Sequence, residues 1–341
     1  MKRLPLGIDK FRELRSRNCY YVDKTMLLAD FLENGFKVTL ITRPRRFGKT
    51  LNMDMVKEFF DIDAESEDLF HGLAIMHTKW RKEINSRPVL SFSFRDSKGD
   101  EALLIYLIKR ELLREYQRFQ HTAQTLDEMD ADQYQKVLDC LLAGDTNTVP
   151  ISNAIAFLSK LVSQYYDKNP LILIDEYDTP MTSAYTEGCY EKLRMFFTAL
   201  YSSALKGNDY LDMALMTGIQ RVAKENIFSG LNNLYVCTVN TESYSQYFGF
   251  TEQETALLLQ NYSLSLDNNV KSMYDGYRFG NTEIYNPWSI LSYAKEKTLM
   301  PYWVNTSTNA LIRRLMSKTT PEFFNQFDRL ILELSLIHRC V

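Results

Sequence analysis

Between Lys37 and Phe60 the sequence passes from a β-rich apolar run, Lys37-Val38-Thr39-Leu40-Ile41-Thr42, through Arg43-Pro44-Arg45-Arg46-Phe47-Gly48-Lys49-Thr50. It then enters a stretch with Leu51, Met55 and Phe59 at helical spacing. Strand, loop and helix in that order constrain the chain more than any other feature, because they are the setting in which a phosphate-binding loop works. A loop entering a helix N-terminus presents unpaired N–H groups and the positive end of a helix dipole. Gly48 lets the backbone come close to an anion, since it carries no Cβ. Lys49 is expected to reach the β- and γ-phosphates of a nucleotide, and the Thr50 hydroxyl to ligate Mg²⁺. The full pattern G-x-x-x-x-G-K-[ST] asks for glycine where this chain has Arg43, so the triplet rests on its context. The competing reading is an ordinary βα turn whose arginines are solvated.

A second signal lies downstream. Pro170-Leu171-Ile172-Leu173-Ile174 is a continuous apolar run, as expected of a parallel strand buried on both faces, and it ends in Asp175-Glu176. Asp175 is expected to hold Mg²⁺, directly or through water. Glu176 is expected to orient and deprotonate an attacking water. A further buried strand, Asp212 to Thr217, brings Thr217 to the same edge, with Arg221 just beyond it as a cation for the transition state. Against these roles stands the plain reading of Asp-Glu as solvated loop carboxylates, and of Thr217 and Arg221 as strand-end and surface residues.

Pro88 to Phe94 alternates bulky and small residues and reads as a strand; helices are expected over Met26–Glu33, Asp100–Phe119, Gln133–Leu142, Ser152–Tyr166 and Tyr190–Leu205. Strands alternating with helices predict an α/β fold, a parallel central sheet flanked by helices. Beyond about residue 245 the pattern changes. Thr251 to Glu254 is a capping box and Asn286-Pro287 a helix start, with no convincing central strand between them. The expected division is a nucleotide-binding domain over 1–245 and a small helical lid with a C-terminal segment over 246–341. The end, Leu330 to Val341, reads as a core helix.

Composition narrows the class. A formal charge of −3, from 40 basic and 43 acidic residues, makes no bulk case for a nucleic-acid surface, although a local patch is compatible with it. Five scattered cysteines without C-x-x-C spacing, and four histidines without ligand spacing, argue against a zinc site or disulfide frame and for a reducing cytoplasm. No signal pattern and no bilayer-length apolar run appear in the sequence, so no membrane partner is expected.

The segments Tyr21 to Thr25, Arg43 to Thr50, Asp175 to Pro180, Ile227 to Asn233, Tyr274 to Gly280 and Tyr285 to Pro287 together resemble the bacterial AAA-ATPase-like family. This is a branch of P-loop NTPases often joined to a C-terminal PD-(D/E)XK nuclease-like domain. The family's loop itself begins with the arginine that Arg43 matches. The resemblance implies that Lys49, Thr50, Asp175 and Glu176 are the nucleotide and metal residues, with ATP and Mg²⁺ as ligands. Around them, Arg45, Arg46, Phe47, Gly48 and Leu51 complete the loop's contacts, and Tyr21 and Asp23 are candidates to cover the adenine or simply to pack. Two functions follow: an ATPase whose hydrolysis drives a conformational cycle, or a slowly hydrolysing switch acting with a protein partner, a second copy or a nuclease domain. A small-molecule kinase is a weaker third. No nuclease activity is expected of the chain itself, because Glu322, Asp328 and Glu333 lie in a helix-like pattern without the paired strands such a site needs.

Overall fold

The computed structural model describes residues 2–220 and 233–303. Five strands, β1 (Val38–Thr42), β2 (Val89–Ser93), β3 (Leu171–Asp175), β4 (Ala214–Gly218) and β5 (Leu234–Cys237), form one sheet in the order β2-β3-β4-β1-β5. Every pairing is parallel. The expected α/β architecture is therefore the observed one. All five residues of β1, β3 and β4 are buried, which is why their sequences are mainly apolar rather than alternating. The strand β4, later in sequence than both, lies between β1 and β3. Thr42, Gly218 and Asp175 consequently share the carboxyl edge, where open α/β sheets bind ligands.

The helices of this layer are α1 (Phe11–Ser16), α2 (Met26–Asn34), α3 (Lys49–Phe60), α4 (Glu67–Phe70), α5 (Glu101–Arg118), α6 (Glu128–Leu142), α7 (Ala154–Tyr166), α8 (Thr179–Glu187) and α9 (Tyr190–Leu205). Alternate residues of each strand feed two cores. Ile172, Ile174, Leu40 and Met216 meet Leu158, Phe197 and Leu112 from α7, α9 and α5. Leu171, Leu173, Ile41 and Leu215 meet Val56 and Phe59 of α3 and Leu28 and Phe31 of α2. Each such side chain contributes about 1.5–3 kcal/mol on burial. Gly35, in the left-handed region, ends α2 where the Asn34-Gly35 pair predicts it. The helix α8 was not foreseen; it has Pro180 in its first turn and Gly188 as its left-handed cap.

One edge of the sheet is closed by side chains. Ser91 N donates to Glu115 Oε2 at 3.1 Å, and Ser93 N donates to Glu111. Arg114 donates to Ser91 O and Arg118 to Val89 O, at 3.2 and 2.7 Å. Four charged residues of α5 thus satisfy the outer backbone groups of β2.

The region after 245 corrects the expectation of helices alone. Helices α10 (Glu252–Asn261), α11 (Asn268–Tyr274) and α12 (Pro287–Glu296) are present, with the Thr251–Glu254 capping box and the Asn286 N-cap formed as expected. They are accompanied by an antiparallel sheet of β6 (Phe250–Thr251), β7 (Tyr277–Phe279) and β8 (Thr282–Tyr285), ordered β6-β8-β7. Strands of two to four residues are too short to show a period. The signal that was there is Gly280-Asn281 between two β-prone triplets, a hairpin turn. Phe279 and Ile284 of this hairpin belong to the same core as α3. Among the described residues, no helix is long and apolar enough to cross a membrane. The segment Leu330 to Val341, with Glu322 and Asp328, lies outside the described residues.

Candidate nucleotide site

The chain leaves β1 at Thr42 and re-enters helical geometry at Lys49 through two left-handed residues, Arg46 (φ 67°) and Gly48 (φ 80°). No protein atom lies within 4 Å of the position a Cβ on Gly48 would take. Glycine is therefore favoured here by its left-handed conformation and not by a close contact. The N-cap of the twelve-residue α3 is Gly48, which has no side chain to cap it, so its first N–H groups suit an anion.

Lys49 is only 5% exposed, and its ammonium donates to the loop's own carbonyls, Arg43 O at 3.0 Å and Pro44 O at 2.9 Å. Burial depresses its pKa, and the carboxylates of Glu176, Asp175 and Asp178 act in the opposite direction. Asp175, buried at the end of β3, accepts from two hydroxyls, Thr50 Oγ1 at 2.7 Å on one oxygen and Thr217 Oγ1 on the other. Glu176 follows on left-handed backbone (φ 52°), a strained conformation for a non-glycine residue, and its Oε2 accepts from Thr179 Oγ1 at 3.0 Å. The structure brings Lys49, Thr50, Asp175, Glu176 and Thr217 to one edge, from strands β1, β3 and β4. A groove of about 720 Å³ opens from Thr50 and Asp175 between α3 and the edge strand β2, flanked by Lys57, Arg95 and Arg110. No cluster of three or more metal-ligating side chains occurs among the described residues. One hydroxyl and one carboxylate, completed by phosphate and water, is instead a donor set suited to Mg²⁺.

The arginines divide. Arg45 is exposed and has no hydrogen bond or ion pair within the described residues. Arg46 lies over the Trp288 ring at 4.1 Å. Arg43 is neither solvated nor paired with an acid: it is fully buried beneath the loop, over the Phe279 ring at 4.7 Å, with Nη1 donating to Thr42 O and Cys237 O. Its Nε and Nη2 have no hydrogen-bond partner among the described residues, and burial lowers its pKa to about 10. Phe47 is buried against Tyr277 and Phe279, at ring separations of 4.8 and 5.2 Å. The loop is thus seated on the β7–β8 hairpin, which gives the Tyr274–Gly280 stretch a structural role that sequence reasoning did not assign.

The Tyr21–Asp23 segment takes part in turn and packing contacts. Asp23 Oδ1 accepts from Thr25 N at 2.8 Å and Oδ2 from Ala74 N at 2.8 Å, so both oxygens anchor a turn. Tyr21 packs edge-on to Phe11 at 5.4 Å, and burial raises its pKa. Leu51 is half-buried in the first turn of α3. Arg221 lies outside the described residues, as does the Ile227–Asn233 stretch apart from Asn233. Asp178 was missed as a site residue, although it stands three positions beyond Asp175. It is 2% exposed and accepts from Ile219 N and Gln220 N on the turn after β4.

A parallel sheet with this loop at one strand end and Asp-Glu two strands away defines a P-loop NTPase-like protein. More narrowly, the chain belongs to the AAA-ATPase-like family, whose sequence profile, described as predicted AAA-ATPase, matches residues 5–228. The chain is also 29% identical over 325 residues to a protein of Azotobacter chroococcum mcd 1 described as "Uncharacterized protein in vnfD 5'region". That similarity covers 93% of this chain and 56% of the relative, so the chain spans little more than half of that protein's length. No solved structure matches the chain.

Proposed function

We propose that the protein is a Mg²⁺-dependent ATPase that couples hydrolysis to a conformational cycle. The observation that carries this reading is the convergence of the Thr50 and Thr217 hydroxyls on buried Asp175, between Lys49 and Glu176. On this reading the Lys49 ammonium leaves the carbonyls of Arg43 and Pro44 for the β- and γ-phosphate oxygens. Those oxygens are better acceptors because they carry charge. Thr50 and Asp175 hold the metal, which supplies charge neutralisation between the phosphates when bound. Glu176 accepts the proton of the attacking water, and Thr217 hydrogen-bonds at the γ-phosphate edge. Arg45 contacts phosphate, while backbone N–H groups from Phe47 to Leu51 line the loop.

The seat of Phe47, Arg43 and Arg46 on the β7–β8 hairpin and α12 offers a route by which loop movement reaches residues beyond 245. We therefore assign 1–245 to nucleotide chemistry and 246–341 to its response. A cytoplasmic protein acting on a protein partner or a second copy of itself fits this reading. The alternative, a slowly hydrolysing switch, is supported by one observation: Oε2 of Glu176 already accepts from Thr179 Oγ1. Single-turnover ATP hydrolysis by wild type and Glu176→Gln tests the proposal. Loss of turnover with binding retained supports the ATPase, and equal rates support the switch.

A further inference from the structure

The turn after β3 and the turn after β4 are fastened together by groups that the chemistry above leaves unused. Tyr177 N donates to Thr217 O at 3.0 Å, and the Tyr177 hydroxyl donates to Gln220 O at 2.9 Å. Asp178 Oδ2 accepts from Ile219 N and Gln220 N at 2.9 and 3.0 Å. Tyr201 holds the assembly from α9, its hydroxyl donating to Tyr177 O at 3.0 Å. The two turns approach so closely that a Cβ on Gly218 would lie 2.6 Å from the Tyr177 ring and 2.8 Å from Asp178 Oδ1. Gly218 is not in the left-handed region, so this contact is what demands glycine. Oδ1 of Asp178 is itself buried without a hydrogen-bond partner among the described residues, and burial raises the pKa of the carboxyl. A buried acceptor left unsatisfied is costly, and its retention calls for a role.

We propose that Asp178 is a positioning residue, a latch that fixes the Thr217 hydroxyl and the Gly218–Gln220 turn against Asp175 and Glu176. This rests on the ATPase reading above. The latch joins the strand end bearing the water-activating carboxylate to the strand end expected to sense the γ-phosphate. Its effect should therefore fall on the chemical step and on the distinction between ATP and ADP, not on nucleotide binding as such. The Asp178 charge also acts on Lys49, alongside Glu176 and Asp175. Asparagine separates the two contributions, because its amide oxygen can accept the same two N–H groups without the charge.

The test is single-turnover hydrolysis, with calorimetric titration of ATP and ADP, on the full chain as wild type, Asp178→Ala, Asp178→Asn and Gly218→Ala. Misplacement of a reacting group by a fraction of an ångström to one ångström costs up to about 100-fold, so Asp178→Ala should lose about 10- to 100-fold in rate while its ADP affinity stays within about threefold. Its preference for ATP over ADP should shrink in parallel. Asp178→Asn should recover most of the loss, and Gly218→Ala, which pushes the turns apart, should resemble Asp178→Ala. Should Asp178→Ala fail to fold, Gly218→Ala and Asp178→Asn decide the matter by the same two readouts. The latch is overturned if Asp178→Ala keeps the wild-type rate and ATP preference, if ADP binding falls together with the rate, or if asparagine rescues nothing. A wild type that binds ATP without hydrolysing it refutes the ATPase reading instead, and the ATP-to-ADP ratio still decides the latch.

Discussion

Substituting Lys49 by alanine probes the site at the residue whose surroundings are most sharply defined. In the free protein its ammonium is already out of water, 5% exposed, and bonded to Arg43 O and Pro44 O. Nucleotide binding exchanges those two bonds for bonds to phosphate oxygens. A hydrogen bond between charged groups contributes about 1.5–3 kcal/mol, and one to a neutral carbonyl somewhat less. The exchange therefore returns only part of the full value, but it involves no fresh dehydration of the ammonium. A net loss of about 2 kcal/mol on removing Lys49, roughly thirtyfold in affinity, is the expected result. Calorimetry with MgATP, MgADP and AMP should show the loss for ATP and ADP and none for AMP, which has no β-phosphate. The pH dependence has a defined sign. Phosphate binding needs the charged lysine, and burial depresses the Lys49 pKa below the ordinary 10.5. Wild-type ATP affinity should decline with rising pH earlier than an ordinary lysine would allow, and Lys49→Ala should lack that limb. An unchanged affinity in a folded variant, or an equal loss for AMP, would refute the phosphate-loop assignment.

Glu176→Gln should keep MgATP affinity and lose about 10²–10⁴-fold in turnover, measured under single-turnover conditions, as expected of a general base. Arg45→Ala should weaken ATP more than AMP in calorimetric titration, because Arg45 is the loop arginine with no partner among the described residues; Arg46→Ala should instead change Trp288 emission, since it removes the stacked cation. Arg43→Met should melt close to wild type. The fall of the Arg43 pKa from 12.5 to about 10 corresponds to roughly 3 kcal/mol against the buried charge, which offsets the two carbonyl bonds and the aromatic contact that methionine gives up. A melting temperature lowered by more than about 10 °C would show that the guanidinium is held for stability.

The sheet was legible because its three central strands are buried on both faces, so Val38–Thr42, Leu171–Asp175 and Ala214–Gly218 are mainly apolar runs without alternation. The sequence also showed which residues close those runs. Lys49, Thr50, Asp175, Glu176 and Thr217 stand together because each follows or ends one of these strands. Arg43 could not be read, since nothing local in Arg-Pro-Arg-Arg says which guanidinium turns inward; Phe248 and Phe279, some two hundred residues later, decide it. Asp23 looked available because its partners, Thr25 N and Ala74 N, are backbone groups that no side-chain pattern announces. Asp178 was hidden for the same reason, its partners being the amides of Ile219 and Gln220. The β7–β8 hairpin was too short for periodicity and was marked only by Gly280-Asn281.

The charged row along α5 has a consequence for how the chain meets other chains. Glu111, Arg114, Glu115 and Arg118 together act as a sixth strand made of side chains, occupying donors and acceptors that a passing polypeptide would otherwise recruit. Their charges balance, so neutralising one residue would both bare a stretch of β2 and leave its neighbours mismatched. These positions look like ordinary surface ion pairs in the sequence. Substitutions at the exposed Arg114 should declare themselves first as concentration-dependent precipitation.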